Sequence, residues 1–233
     1  MKWRLAFLGA LLVPDLALDP FRGGLTPSAV HLLGTDDLGR DALLRLLLAG
    51  ARSLGFASAC ALLALSLGTL LAWRGRSLRG GLSALRSLPP LLFLLPLAAA
   101  AGGLSAAPLG VLLGALLAPH LEPALRSRLE ALRHSPAWAA ERTLGAPWPS
   151  TCRRWAPWGL DQATALFPSA WLGALWGEAT LSALGLGPGP GQDSLGRLLA
   201  EELPRLGSDP SPLGWAALAV VLGLAWTSAP GKS

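Results

Sequence analysis

The residues best equipped for chemistry lie in HLLGTDDLGRD, 31–41, where His31, Asp36, Asp37, Arg40 and Asp41 crowd together between runs of leucine and alanine. A histidine beside paired carboxylates could act as a general base with its orienting acid, as in a membrane-embedded hydrolase. No serine or cysteine nucleophile motif accompanies these residues, and helix capping with ion pairing accounts for their charges. His31, His120 and His134 have no metal-ligand spacing, and Cys60 and Cys152 form no CxxC pair. The GKS at 231–233 would need a glycine at the position of Trp226 to be a phosphate loop. The expectation is therefore a chain that is not an enzyme, with no catalytic residue, no metal and no cofactor.

What must position these residues is a membrane bundle. Residues are 52% hydrophobic and only 14% charged, against about 25% charged in a typical soluble domain. The net charge of +5 could suggest nucleic acid, but the arginines fall in clusters between apolar runs and form no single stripe, so no nucleic-acid partner is expected. A spanning helix needs about 20 mostly apolar residues. Residues 53–73 carry no charge and make the clearest span, and 87–119 is an uncharged run read as a hairpin of two short spans broken at Gly102, Gly103 and Pro108. Residues 162–177 make a fifth span and 210–231 a last one, with its apolar centre at 213–226. At the start, Lys2 and Arg4 precede a short apolar core at 3–18, which fits a short first span or a secretory signal peptide; no small-x-small cleavage site follows, and a span is favoured.

Orientation follows from the arginines. Arg74, Arg76, Arg79 and Arg86 precede the third span, and Arg126, Arg128, Arg133, Arg142, Arg153 and Arg154 separate the fourth from the fifth. Both loops should be cytoplasmic. Residues 19–52, with Asp19, Asp36, Asp37 and Asp41, then face the other side with 187–209.

Local signals refine this plan. Thr35 or Asp36 can cap a helix beginning near Leu38, with Leu43, Leu46, Leu47, Gly50 and Leu54 at helical spacing and Asp41 paired with Arg45 four positions on. That helix would lie along the outer interface and feed the second span. Glu178, beside Thr180 and Ser182 at the outer end of the fifth span, either lines a pathway or, as favoured, braces the Gly/Pro loop that follows. Pro136, Gly145 and Pro147 predict two short helices meeting in a bent rod. Trp148, Trp155 and Trp158 share a helical face and read as an interfacial tryptophan belt, and Gly110/Gly114 and Gly173/Gly177 have the spacing of close helix contacts.

Three stretches resemble the membrane subunits of bacterial ABC importers for dipeptides, oligopeptides and nickel: HLLGTDDLGRD, with Gly34, Thr35, Asp36, Asp37, Gly39, Arg40 and Asp41; GEATLSALGLG, 177–187, with Glu178 and Ser182; and AERTLG, 140–145, similar to the EAA loop that such permeases present to their ATPase. The resemblance implies an all-α, polytopic transmembrane helix bundle with the type I importer permease (MetI-like) fold and about six spans. It divides the chain into 1–52, holding the short first span, outer loop and amphipathic helix, and a permease core, 53–233, with the coupling loop at 122–158. It further implies a multi-pass protein of the inner (cytoplasmic) membrane in contact with lipid, pairing with a second permease subunit as a heterodimer, two cytoplasmic ATP-binding subunits and an extracytoplasmic substrate-binding protein. Ala139, Ala140, Glu141, Arg142, Leu144, Gly145 and Arg154 would form the ATPase-coupling loop. The pattern departs at Ala139, where the family has Glu, and at WAPW, 155–158, where it has HxLP. Those departures support the alternative of a non-transporting scaffold that keeps the permease fold.

Overall fold

The computed structural model describes residues 31–74, 79–101, 105–145, 147–187 and 193–202, with positions 204, 217 and 219. The expected first span at 3–18, nearly all of the last at 210–231, Asp19, Gly102, Gly103 and the GPG segment at 189–191 lie outside the described residues, as do the side chains of Arg142 and Trp148. In order the helices are α1 (Ala42–Arg74), α2 (Arg79–Ser87), α3 (Pro90–Ala100), α4 (Ala106–Arg133), α5 (Pro136–Thr143), α6 (Trp148–Ala183) and α7 (Leu195–Glu202). The fold is all-α among the described residues, apart from one isolated bridge between Thr35 and Asp41.

Among the described residues two helices, α1 and α4, are long and apolar enough to cross a membrane, and α2 with α3 passes the same test as a broken span bent by 81°. These properties make the chain a membrane protein in character. α6, which contains the expected fifth span, is long enough, but its prolines, tryptophans and Glu178 dilute the apolarity and it is not among those helices.

The boundaries differ from expectation in instructive ways. Helix α1 begins at Ala42, not near Leu38, and its cap is Asp41: Asp41 Oδ1 accepts the Leu44 amide at 2.9 Å. There is no separate interfacial helix, because α1 runs on unbroken into the expected second span. Pro108 does not break the apolar run, since it falls in the first turn of α4, where a missing N–H costs nothing. α3 has only 11 residues, about 16 Å of helix. α4 passes straight through Pro119 and Pro123 to Arg133, so Arg126, Arg128 and Arg133 stand on a helix and not in a loop. Each interior proline costs about 3 kcal/mol, more than the helix preference of the neighbouring Leu, Glu, Ala and Arg returns, so the packing of α4 on α1 around Gly68 carries the continuation.

The chain divides into two compact units. One holds 58–94 and 110–174. In it α1 and α4 touch at small residues: a Cβ on Gly114 would meet Leu63 Cδ2 at 2.9 Å and the Cys60 carbonyl at 3.2 Å, and one on Gly68 would meet the Ala118 carbonyl at 3.2 Å. Numbering rises together along both helices, so they run in the same direction. Gly173, by contrast, makes only ordinary contact with Leu117 at 3.4 Å. α6 runs the other way, with Trp171 Nε1 donating to Ser58 Oγ at 3.1 Å and Ala170 packed on Ala61 and Leu65. In lipid, where apolar burial gives little drive, such close backbone packing carries helix association.

The other unit holds residues up to 57, 95–109 and those from 175 on. Ala42, Leu46 and Ala49 of α1 pack on Leu195 and Leu198 of α7, with Ala217. α6 ends in a Schellman turn: Leu186 N donates to Leu181 O at 2.8 Å and Gly185 N to Ser182 O at 3.0 Å, with Gly185 at φ 73°. That conformation suits glycine and explains the first Gly of the GLG in SALGLG.

Candidate functional site

The acidic motif folds into a compact double turn. Asp36 Oδ1 accepts the amides of Leu38 (3.0 Å) and Arg40 (2.8 Å), while its other oxygen takes Arg40 Nε at 2.8 Å. Gly34 and Gly39 stand at φ 76° and 75°. Asp36 N reaches back to Arg40 O at 2.9 Å, and Ala42 N to Gly34 O at 3.1 Å, which sets the direction in which α1 leaves. Asp36 therefore closes the turn and does not cap the helix, and neither does Thr35. His31 Nδ1 lies 2.8 Å from Asp41 Oδ2, so Asp41 serves the helix cap and the histidine together.

Arg45 is not paired with Asp41, as the four-residue spacing suggested. It is buried on the same face as Ala42, Leu46, Ala49 and Ser53, turned toward α7. Its guanidinium grips Asp193 by two bonds, Nε to Oδ2 at 2.9 Å and Nη2 to Oδ1 at 3.1 Å, and gives a third to Glu201 Oε2 at 2.6 Å. A fourth contact reaches Asp36 Oδ2 at 3.5 Å. Arg197, one turn before Glu201, holds the other oxygen of that carboxylate at 3.0 Å. One planar fork thus ties the acidic motif to α7, a geometry that lysine cannot reproduce.

The carboxylates respond to this arrangement. Burial pushes the Asp193 carboxyl up, but the Arg45 bonds and charge, with Arg40 and Arg197, outweigh burial and hold it below the usual aspartate range. Glu201 behaves alike: burial raises it and the bonds from Arg45 and Arg197 bring it lower overall. At Asp41 burial is again outweighed, here by the Leu44 amide and His31.

Deeper on the same face lies a second, neutral-donor network. Glu178 is 1% exposed. Ser53 Oγ donates to its Oε2 at 3.0 Å and Ser182 Oγ to its Oε1 at 2.7 Å, while Ser53 Oγ accepts the Leu195 amide at 3.0 Å. Glu178 therefore links α1, α6 and the first turn of α7. Gly196 permits this docking, because a Cβ there would lie 2.4 Å from Ala179 Cα.

In the other unit, α5 and the start of α6 form the expected elbow. Pro136 opens α5 after Ser135, whose Oγ accepts the Trp138 amide at 3.3 Å, and Gly145 ends the segment at φ 67°. Trp138 is buried edge-on against Trp155, centroids 5.9 Å apart. Glu141 takes Arg154 Nη1 at 2.7 Å and Trp155 Nε1 at 3.1 Å, so its carboxylate fastens the two arms of the elbow to each other. Trp155 thus serves this joint. Ala139, Ala140, Leu144 and Gly145 are exposed, Leu144 by 83%.

The structure brings Asp36, Arg40 and Asp41 into one turn with Gly34, Thr35 and Gly39, leaves Asp37 exposed on it, gives Arg45 other partners than expected, and adds Ser53, Asp193 and Glu201, which sequence reasoning passed over. The signal for α7 was present in DSLGRLLAEE: Ser194 caps it, accepting the Arg197 amide at 3.3 Å, and Arg197 and Glu201 sit four apart. No group of three or more His, Cys, Asp or Glu side chains suited to a metal ion occurs among the described residues. The chain matches no known protein family and no curated protein.

Proposed function

We propose that this chain is the membrane-spanning permease subunit of an ATP-driven importer, for peptides or a related small solute, and forms half of the translocation pore without catalytic chemistry of its own. The observation that supports it best is the junction beside the two family-like stretches: Arg45, which follows the TDDLGRD turn and contacts its Asp36, holds Asp193 and Glu201, and Ser53 holds Glu178 of GEATLS. Such a junction is suited to the extracytoplasmic mouth of a pore, where it would hold α1, α6 and α7 as one piece. The parallel course of α1 and α4 with α6 reversed fits a chain that recrosses the membrane between them. On this basis the fold is of the type I importer (MetI-like) kind with about six spans, placed in the inner membrane with the arginine-rich ends inside.

At the cytoplasmic side the exposed tip of the elbow, Ala139, Ala140, Leu144 and Gly145, is the surface that would seat in an ATPase groove. Glu141 keeps the elbow rigid. A second permease subunit, two ATP-binding subunits and a substrate-binding protein complete the assembly. A non-transporting scaffold is favoured instead by one observation, the complete engagement of Glu141 by Arg154 and Trp155 at a loop that also lacks a carboxylate at Ala139. Affinity purification of the tagged chain from its own cells separates the two: an importer subunit brings down another permease and ATP-binding subunits whose hydrolysis responds to a binding protein, and a scaffold brings down none of them.

A further inference from the structure

Between α2 and the second half of α4 lies a cleft of about 550 Å³ lined by Leu82, Arg86, Glu122, Pro123, Arg126 and Glu130, with two serines. Its floor is a charged triad. Glu122, 3% exposed, receives Arg86 Nη1 at 2.6 Å on one oxygen and Arg126 on the other. Glu122 engages a single nitrogen of Arg86, while Arg126 turns Nε and Nη2 to the other carboxylate oxygen and keeps Nη1 outside that pair. Two guanidiniums around one carboxylate leave the floor with one net positive charge and N–H groups to spare. Glu130, exposed, puts a negative charge at the rim.

The setting fixes the depth. α2 is short and strongly amphipathic, carries Arg86 in its last turn, and turns by 81° into the wholly apolar α3. A polar helix at a right angle to an apolar one lies in the plane of the headgroups while the other enters the lipid. With α2 in that plane, the cleft beside it would open at headgroup level.

We infer that this cleft binds the headgroup of a zwitterionic phospholipid, the phosphate on Arg86 and Arg126 and a primary ammonium on Glu130. An anionic headgroup meets no net charge to compensate it, since two arginines are balanced by Glu122 and Glu130. A phosphate joined to an ammonium matches both the floor and the rim. This inference rests on the chain's membrane character and not on the importer assignment, and lipid retention requires no partner subunit.

The test places the purified full chain in nanodiscs of equal phosphatidylethanolamine and phosphatidylglycerol and reads retained lipid by native mass spectrometry. The wild type retains ethanolamine lipid over glycerol lipid by about fivefold, the factor expected from one partly exposed ion pair. R86Q with R126Q loses retention of both. E130Q, at an exposed position that leaves folding intact, shifts the preference toward phosphatidylglycerol by about the same factor. A wild type that prefers phosphatidylglycerol or shows no preference, or an E130Q protein that is indistinguishable from wild type, overturns the inference. So does equal binding of soluble O-phosphoethanolamine to detergent-solubilised protein, which would make the site one for a free solute.

Discussion

Ser53 and Glu178, 125 positions apart in the chain, are joined by a hydrogen bond of 3.0 Å in which the serine hydroxyl donates and the carboxylate accepts. The same hydroxyl oxygen takes the Leu195 amide at 3.0 Å. One buried side chain therefore serves a second helix and the start of a third. Ser53→Ala removes a donor from a buried carboxylate and an acceptor from a buried amide, and is expected to cost about 1–3 kcal/mol per group left unsatisfied. Thermal unfolding in detergent should show a loss clearly larger than for Ser66→Ala, whose hydroxyl bonds only a carbonyl of its own helix in an exposed setting.

Gly196 and Gly55 make a matched pair for testing the α7 contact. A methyl group at Gly196 would overlap the Ala179 backbone at 2.4 Å, whereas one at Gly55 meets nothing within 4 Å. Gly196→Ala should be destabilising by about 1–3 kcal/mol or more as α7 is forced outward. Gly55→Ala should be neutral or should stabilise by about 0.5–1 kcal/mol, the helix preference of alanine over glycine. Equal melting temperatures for the two variants would contradict the packing described.

Arg45 predicts both a mutational and a pH effect. Arg45→Met leaves Asp193, Glu201 and Asp36 close together without their shared cation, with an expected loss of about 3–5 kcal/mol. The carboxyls of Asp193 and Glu201 are lowered from their ordinary values of 3.8 and 4.5. A lowered carboxyl contributes its stabilisation above the ordinary value, and that contribution is lost as pH falls through the folded-state value. Unfolding midpoints should be flat from pH 8 to 5 as far as these two groups contribute, and fall below about 4. Arg45→Met should flatten that acid limb.

Leu144 tests the elbow separately from the fold. It is 83% exposed, so Leu144→Asp should change stability by no more than about 0.5 kcal/mol. If the tip seats in an ATPase groove, the same substitution should abolish copurification of the ATP-binding subunits. Retention of those subunits would remove the elbow from the coupling role.

Much of this architecture was legible because its signals are local. The acids of GTDDLGRD announced a capped helix just beyond them, and Pro136 and Gly145 marked the two ends of the α5 segment. What escaped was decided by distant partners. Asp41 and Arg45 have favourable helical spacing, yet Arg45 turns to carboxylates 148 and 156 positions away, and Asp41 is left to cap the helix and hold His31. The spacing of Leu43, Leu46, Leu47, Gly50 and Leu54 suggested one apolar face, but Leu47 is exposed and the buried face carries Arg45 and Ser53. Glu122 fell unremarked within the expected loop at 122–158, and only the course of α4 through Pro119 and Pro123 brings it to Arg86 of α2. Helix propensity and proline count gave no means of weighing that continuation.

Site-directed labelling in sealed membrane vesicles tests the central claim most directly. With Cys152 replaced by serine and the buried Cys60 kept, single cysteines at Asp37 and Leu144 would be probed with a membrane-impermeant maleimide. Labelling of Asp37→Cys only from the extracytoplasmic side and of Leu144→Cys only from the cytoplasmic side is the predicted result. Reaction of both positions from one and the same side would contradict it.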